Sequence, residues 1–304
     1  MSKNKSVGRM RVKKSGNDRI FLAVCTVVLV TLMVIVLIPL LNIIASSFSD
    51  PKAVSQGKVW LWPVDFSLDS YKNVLKYDSV WVGYGNTIFY TVCGTSMNVA
   101  ITLLCAYPLA QKTFAGRKMV NKLLMFTMIF SGGMIPGYLL VKELGLLNTR
   151  WAVLLPGLMS AYNVIITRNY IETNISSELQ EAARVDGCSP FKFFIHFVLP
   201  LSKSIIAVIT MYYAVGHWNS YFNAFLYLNE TELYPLQLFL RDILVNSQFD
   251  SSIIDDPEMA KVVQSQAEAL KYSIIVIATA PLMCVYPLVQ KHFVKGIMVG
   301  SVKG

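Results

Sequence analysis

Apolar residues are concentrated in six long runs, which polar connections separate. The runs lie at about residues 21–44, 86–110, 123–141, 152–168, 203–226 and 271–290. A helix needs roughly 20 apolar residues to cross a hydrocarbon layer about 30 Å thick, and the runs lack the period-two alternation of membrane strands. Because only helices and closed barrels span a bilayer, the pattern predicts an all-α membrane protein with six transmembrane helices.

Several runs contain residues that interrupt helices. The second to fifth runs are broken by Pro108, Gly132–Gly133, Pro136, Pro156 and Asn163. Membrane helices tolerate such positions where neighbouring helices satisfy the freed backbone groups. We therefore interpret these segments as spans and expect their neighbours to supply the missing hydrogen bonds.

The composition supports the membrane class. Hydrophobic residues make up 54% of the 304 residues and charged residues only 15%, with a mean hydropathy of +0.50. Soluble domains contain about 25% charged residues. The first run follows a basic arm and has no small-residue cleavage site, so it is expected to stay as the first span and not to be removed as a signal peptide.

Positive charges predict the orientation of the spans. Lys and Arg are concentrated before the first span, between the second and third spans and after the last one, at Lys3, Lys5, Arg9, Arg11, Lys13, Lys14, Arg19, Lys112, Arg117, Lys118, Lys122, Lys291, Lys295 and Lys303. The connection between the fifth and sixth spans is acidic instead. Since cytoplasmic loops are rich in Lys and Arg, both termini are predicted to be cytoplasmic, in a multi-pass protein of the cell membrane. The net charge of +9 is then a signal of topology, and no nucleic-acid partner is expected.

The first outer connection, residues 46–83, is rich in aromatic side chains. It contains Trp60, Trp62, Tyr71 and Trp81. Trp and Tyr concentrate at the boundary between lipid and water. The connection is therefore expected either to lie along membrane lipid or to contact an extracytoplasmic protein, and both interpretations stay open.

The cytoplasmic connection between the fourth and fifth spans predicts two short helices with a sharp corner. Ser177 is expected to cap the first helix while Gln180 reaches back to it. Glu178 and Glu181 place negative charge near the helix start, where the helix dipole favours it. This helix is expected to end near Gly187.

A second short helix is predicted directly after the corner. Ser189 caps it, Pro190 occupies its first turn and Pro200 ends it. One apolar face is formed by Phe191, Phe194 and Val198. An exposed aromatic face needs a partner surface, and the alternative is an ordinary loop packed on its own helical bundle.

The chain lacks the sequence motifs of an energy source or a catalytic centre. It has no phosphate-binding GxxxxGK[ST] loop and no GxSxG elbow. Its cysteines form no CxxC pair and have no His at the spacing of metal ligands. They are Cys25, Cys93, Cys105, Cys188 and Cys284. No cofactor, metal or enzymatic activity is predicted, so energy for transport would come from a separate ATPase that binds the cytoplasmic corner.

The fifth span carries a cluster of aromatic and amide side chains. We interpret Trp218, Asn219, Tyr221 and Asn223 as a substrate path, because aromatic rings suit the apolar faces of pyranose rings and amides bond to hydroxyls. Polar groups inside membranes usually face a bundle interior or a cavity. Asn219 and Asn223 would share one helix face. The alternative, that these side chains join the fifth span to its neighbours, is equally open.

The cytoplasmic corner also resembles the motif of a known family. The residues that carry the likeness are Glu181, Ala182, Ala183, Asp186, Gly187, Leu199 and Pro200. They resemble the EAA loop of type I ABC importer permeases. The resemblance implies a MetI-like permease fold with cytoplasmic coupling helices, in which Glu181 contacts a basic ATPase residue, Gly187 turns the chain and Pro200 ends the second helix.

Other segments resemble the carbohydrate-uptake branch of this family. Trp218-Asn219 with Pro235-Leu236 is similar to its WN…PL pattern, residues 293–304 are similar to its C-terminal ending, and residues 131–157 are similar to oligosaccharide permeases of the lipoprotein/aldouronate type. The resemblance implies carbohydrate import together with a second permease, two ABC ATPase subunits and an extracytoplasmic solute-binding protein. A permease for peptides or amino acids is the alternative. An ion-driven transporter is disfavoured, because no acidic or Arg residue is central in a span.

These observations divide the chain into four parts. Residues 1–19 are a cytoplasmic arm, and residues 20–83 are the first transmembrane helix and outer loop. Residues 84–295 are the six-span permease core, with the coupling loop at 177–202, and residues 296–304 are a cytoplasmic tail.

Overall fold

All regular structure in the described part of the chain is helical. The computed structural model describes residues 16–246 and 257–297, and no strand occurs within them. In chain order the α-helices are α1 (Gly16–Ser47), α2 (Pro51–Ser55), α3 (Asp69–Leu75), α4 (Asp78–Ala110), α5 (Arg117–Ile129), α6 (Met134–Glu143), α7 (Arg150–Leu154), α8 (Ala161–Asn174), α9 (Ser177–Val185), α10 (Pro190–Phe193), α11 (Leu199–Leu201), α12 (Lys203–Trp218), α13 (Phe222–Tyr227), α14 (Leu236–Asn246) and α15 (Pro257–Ile297). A π-helix (Phe194–Val198) joins α10 to α11, and a 3₁₀-helix (Thr231–Leu233) precedes α14. The all-α prediction is confirmed for these residues.

Some helices are long and apolar enough to cross a membrane without interruption. In the described ranges these are α1, α4 and the segment Gln264–Pro287 of α15. Two further candidates are bent pairs: α5 and α6 meet at 114°, and the segment Pro190–Leu201 meets α12 at 81°. The described residues therefore hold three candidate spans, or up to five when each bent pair is one span. Six spans remain a prediction.

Interruptions occur in the third, fourth and fifth apolar runs. α5 ends at Ile129, and Gly133 has a φ of +88°, which a residue with a side chain rarely adopts. α7 ends at Leu154, two residues before Pro156, and α8 begins after Ser160. The predicted breaks at Gly132–Gly133 and Pro156 are confirmed. Those at Pro108, Pro136 and Asn163 are wrong, because these residues lie inside α4, α6 and α8.

The fifth run is also broken, at a place that the sequence does not predict. α12 ends at Trp218 and α13 begins only at Phe222. Asn219 and Asn223 therefore do not share a helix face, and that expectation is wrong. The chain leaves the helix here without Pro or Gly, because contacts with neighbouring helices decide the local conformation.

The core is built around α4, which packs against α8 and α12. Asn98 on α4 is 1% exposed, and its Nδ2 donates to the carbonyls of Gly157 and Leu158 at 2.7 and 2.8 Å. Its Oδ1 lies 2.7 Å from Nε2 of His217 on α12. Since an amide oxygen only accepts, His217 donates this bond. The buried side chain of Asn98 thus gives hydrogen-bond partners to the backbone between α7 and α8, and it joins this backbone to α4 and α12.

A second buried link supports the same interruption. The hydroxyl of Tyr213 on α12 lies 2.7 Å from Oγ1 of Thr102 on α4 and accepts the backbone N–H of Ser160 at 3.2 Å. Ser160 also caps α8, because its side chain accepts from the N–H of Asn163 at 3.4 Å. The start of α8 is therefore fixed by polar contacts on both sides.

The first helix, α1, packs against α15 but leaves most of its surface exposed. Its apolar side chains are exposed along most of its length, and only Ala45, Ser46 and Ser47 at its end are buried. The outer connection is tied to that end, since Asn42 donates to the carbonyls of residues 59 and 60 at 3.1 and 2.8 Å. Such an apolar surface requires lipid or another apolar partner.

The aromatic residues of the outer connection fall into two groups. The side chains of Trp60, Trp62 and Trp81 are exposed. Tyr71 is half-buried, and its hydroxyl donates to Oγ of Ser47 at 2.8 Å. The three Trp rings are therefore accessible to a lipid boundary or a partner protein, although Nε1 of Trp81 donates to the carbonyl of Leu75 at 3.0 Å, whereas Tyr71 holds the connection to α1.

Gly94→Ala is expected to destabilise the protein. A Cβ at position 94 would lie 2.5 Å from the His217 ring, which cannot turn away without losing its hydrogen bond to Asn98. We expect a loss of about 1–3 kcal/mol, the usual cost of overpacking. Thermal unfolding of the purified protein in detergent measures the change. Gly85→Ala on the same helix is the matched control, because nothing lies within 4 Å of its added Cβ, and equal effects would contradict the argument.

Candidate functional site

The first helix of the loop at residues 177–202 is α9. Its N-cap is Ser176, whose side chain accepts from the N–H of Leu179 at 3.3 Å. The expectation that Ser177 caps the helix is wrong by one residue, because Ser176 has the extended backbone of a cap while Ser177 is already helical. Gln180 does not reach back to the cap, since its side-chain amide donates to Gln111 in the α4–α5 turn.

The corner that follows α9 is closed by backbone hydrogen bonds. The N–H of Gly187 donates to the carbonyl of Arg184 at 3.0 Å, and that of Cys188 donates to Ala183 at 2.9 Å. This pair of bonds is the Schellman motif, which needs a left-handed residue after the helix. Gly187 supplies it with a φ of +76°, and Asp186 is the C-cap. The predicted helix end at Gly187 is confirmed.

The second helix begins where the sequence predicts and ends later. The side chain of Ser189 accepts from the N–H of Lys192 at 3.3 Å, and Pro190 lies in the first turn. Pro200 does not end the helix, because helical structure continues to Leu201. A proline normally clashes with the carbonyl four residues earlier, which here belongs to His196. That residue lies in the wider π-helical turn, which accommodates the proline ring.

The apolar face of the second helix is divided between solvent and core. Phe191 is 66% exposed, whereas Phe194 is 7% exposed and Val198 is fully buried. The expectation of one exposed face with all three side chains is therefore wrong, since most of this helix packs on the bundle. Ala183 of α9 belongs to the same buried cluster, which explains a small residue there.

The exposed part of the loop surrounds the corner. Glu181, Ala182, Asp186 and Gly187 are exposed, while Leu199 is half-buried and Pro200 exposed at the far end. The acidic start of α9, the corner and Phe191 thus form one continuous surface, which the other described residues leave exposed. A partner could bind this segment without displacing the core.

A half-buried ion cluster lies beside the loop. Nη2 of Arg117 donates to both carboxylate oxygens of Glu172 at 2.6 and 2.7 Å, and Nη2 of Arg168 donates to Oε2 at 3.0 Å. Partial burial raises the pKa of the Glu172 carboxyl, but the bonds from both guanidinium groups outweigh it and the net pKa is lowered. Sequence reasoning missed this cluster. The i, i+4 spacing of Arg168 and Glu172 could have indicated half of it.

The four predicted path residues lie around the α12–α13 break in different environments. Trp218 is 8% exposed, and its Nε1 donates to the carbonyl of Ala278 at 3.0 Å. Asn219 and Tyr221 are exposed, and Asn223 is half-buried. The side chain of Asn219 donates to the carbonyl of Val215 at 3.0 Å and leaves its amide oxygen available. The break thus presents Asn219 and Tyr221 outward, with Trp218 packed behind them.

Comparison with known proteins identifies the class of this chain. The family described as "Binding-protein-dependent transport system inner membrane component" matches residues 8–299. The match covers nearly the whole chain, so the chain belongs to this family of membrane transport components.

Individual relatives extend the likeness to almost full length. Protein LplC of Bacillus subtilis (strain 168) is 43% identical over 270 residues, which cover 89% of this chain and 90% of that protein. The polygalacturonan/rhamnogalacturonan transport system permease protein YtcP of the same organism is 42% identical over 270 residues, covering 89% and 93%.

A solved structure shows the same fold. It is the crystal structure of a bacterial ABC transporter involved in the import of the acidic polysaccharide alginate, and one of its chains is 36% identical to this one. The TM-score is 0.82, and the match covers 93% of this chain and 99% of that chain. The chain is therefore a multi-pass membrane protein with the MetI-like ABC importer permease fold.

Trp218→Ala and Asn219→Ala are expected to differ in their effect on stability. Removing the buried Trp218 ring should cost roughly 3–5 kcal/mol, because it leaves a cavity against α15. Removing the exposed Asn219 amide should change stability by less than about 0.5 kcal/mol. Melting temperatures of the two purified variants measure this difference, and a large loss in Asn219→Ala would show that Asn219 is a packing residue.

Proposed function

We propose that this chain is the transmembrane permease subunit of an ATP-driven ABC importer, and that it translocates an oligosaccharide delivered by an extracytoplasmic binding protein. The observation that carries the proposal is the near full-length likeness to proteins whose names specify carbohydrate polymers, polygalacturonan and rhamnogalacturonan in one case and alginate in another. These names favour a carbohydrate over the alternative, a peptide or another non-sugar solute.

The proposed topology has six spans and two cytoplasmic termini. The spans would be α1, α4, the bent pair α5–α6, the interrupted α7–α8, the broken α12–α13, and α15. The distribution of Lys and Arg supports this orientation. Residues 1–19 would be the cytoplasmic arm, 20–83 the first span with its outer loop, 84–295 the permease core and 296–304 the cytoplasmic tail. Residues 1–15, 247–256 and 298–304 of these parts lie outside the described residues.

The loop at residues 177–202 is the proposed coupling element. α9 and α10 would dock into a cleft of an ATPase subunit, with Glu181 bonded to a basic residue and the Gly187 corner inserted. The exposed start of α9 and the exposed Phe191 support this assignment. Two ATPase subunits would serve two permeases, so a second permease would present an equivalent loop.

The substrate path is proposed at the α12–α13 break. Asn219 and Tyr221 would contact the solute directly, because their side chains are exposed beside an interruption in a span. Asn223, in the first turn of α13, would also line the path, and the packed Trp218 ring would hold the break in position. Irregular backbone at membrane depth is tolerated where it lines a cavity, which supports this placement.

The outer connection, residues 46–83, is proposed to contact lipid and the solute-binding protein on the extracytoplasmic side of the membrane. The exposed rings of Trp60, Trp62 and Trp81 would lie at the lipid boundary, where Trp rings concentrate. The adjoining segments would receive the solute-binding protein, which delivers the oligosaccharide to the path.

The proposed solute class is tested with the binding protein. An affinity tag on this chain captures the complete complex from membranes, and the co-purified binding protein is screened against oligosaccharides and peptides by thermal shift. Stabilisation by an oligosaccharide supports the proposal. Stabilisation by peptides alone would favour the alternative.

Glu181→Lys is expected to weaken ATPase association and import together while the chain still inserts into the membrane. Reversing a charge that pairs with a partner typically costs a few kcal/mol. Co-purification of the ATPase and uptake of labelled oligosaccharide measure the two effects. Glu178→Lys, one turn earlier on α9, is the matched control. Equal effects in both variants would show that Glu181 acts only as a helix-start carboxylate.

Asn219→Ala is expected to reduce uptake while the complex assembles normally. The variant removes an amide that can bond to solute hydroxyls, and each such bond contributes about 0.5–1.5 kcal/mol. Uptake at several solute concentrations measures the loss. Asn229→Ala, an exposed amide beyond α13, serves as control, and full uptake by Asn219→Ala would contradict the path assignment.

A further inference from the structure

The α4–α5 turn is bonded to the coupling loop region at two separate points. One point is the ion cluster, in which Arg117 at the start of α5 holds Glu172 near the end of α8. The other is the side-chain bond from Gln180 on α9 to Gln111. The turn therefore contacts both helices that meet at the entry to the coupling loop.

A cavity opens between these two points. It has a volume of about 330 Å³ and is lined by turn residues 110–113, by the end of α8 and by the α9 side chains of Gln180, Glu181 and Arg184. Close packing is thus absent over the face of α9 that looks toward the turn. α9 contacts the turn through the Gln180–Gln111 bond, whereas the ion cluster fixes α8 to the start of α5.

The ion cluster differs from an ordinary surface pair. The side chains of Arg117 and Arg168 are 20% exposed and that of Glu172 is 30% exposed, and one carboxylate is shared by two guanidinium groups. Isolated surface pairs contribute little, but partly buried charges depend on their partners. Without the carboxylate, the two cations would face each other in a half-buried site, so the bonded link between the start of α5 and the end of α8 would be lost, although apolar packing between Leu124 and α8 remains.

The cluster also connects two parts of the chain with different roles. α8 leads directly into α9 of the coupling loop, and α5 leads into the pair α5–α6, which bends by 114°. The pairs Lys72–Asp69 and Arg241–Asp242, in contrast, each lie within one short segment.

We propose that Glu172 is a positioning residue for energy coupling. Its bond to Arg117 fixes the start of α5 to the end of α8, and its bond to Arg168 within α8 holds the carboxylate in place. When the ATPase displaces α9 and α10, the bent pair α5–α6 then moves with them. The α4–α5 turn does not bend to compensate for the displacement. This inference rests on the proposed function, since it requires an ATPase that moves the loop.

The test uses the complete complex in liposomes, with Glu172→Gln in this chain. The variant keeps the side-chain shape and removes its charge. We expect normal assembly and normal basal ATP hydrolysis, with the number of solute molecules imported per ATP reduced about tenfold. A merely structural role would lower assembly and melting temperature and leave this ratio unchanged.

Asp242→Asn is the matched control. It removes the carboxylate of another ion pair, whose oxygen lies 3.1 Å from Arg241, on a helix that does not belong to the coupling loop. The control should keep the wild-type ratio of solute to ATP. Glu172→Asp keeps the negative charge. It should therefore import more solute molecules per ATP than Glu172→Gln.

The outcomes separate the inference from the proposed function. If Glu172→Gln has the wild-type ratio, or loses no more than Asp242→Asn, the inference is wrong and the proposed function stands. If the wild-type complex imports no solute with ATP, the proposed function is wrong and the inference falls with it. If Glu172→Gln does not assemble, Arg117→Lys is measured, which keeps the charge without the two-bond fork. A wild-type ratio in Arg117→Lys would overturn the inference.

Discussion

Backbone groups that an interrupted membrane helix leaves unpaired must find partners inside the protein, because hydrocarbon offers none. In this chain the buried side chain of Asn98 supplies them. It donates to the carbonyls of Gly157 and Leu158 at 2.7 and 2.8 Å and accepts from His217 at 2.7 Å. The α7–α8 interruption, α4 and α12 therefore share one fixed point, and the close approach at Gly94 lets His217 reach it.

The position of the loop at residues 177–202 depends on that fixed point through α8. This helix has 14 residues, begins at the interruption and ends directly before α9. Its start is held by the bond of Ser160 to Tyr213, and its end is held by the bond of Glu172 to Arg117. A helix fixed at both ends acts as a rigid connector. The loop can thus present its corner to a partner while the spans above keep their arrangement.

Local signals predicted much of the architecture and part of the site. Long apolar runs are helical, and the turns at Gly133 and Gly187 follow from the freedom of glycine at positive φ. Long-range packing decided the rest. The break after Trp218 contains no Pro or Gly, and Phe194 is buried although its spacing indicated an exposed face. Arg117 and Glu172 are 55 positions apart, so no local pattern could reveal their bond.

The central claim is that ATP hydrolysis by partner subunits drives solute through this chain. It is tested most directly with the tag-purified complex in liposomes, by measuring accumulation of a labelled oligosaccharide that the co-purified binding protein binds. We predict accumulation only when ATP is present on the side of the ATPase subunits, and the same accumulation after ionophores collapse all ion gradients. Accumulation that needs an ion gradient and proceeds without ATP would contradict the account.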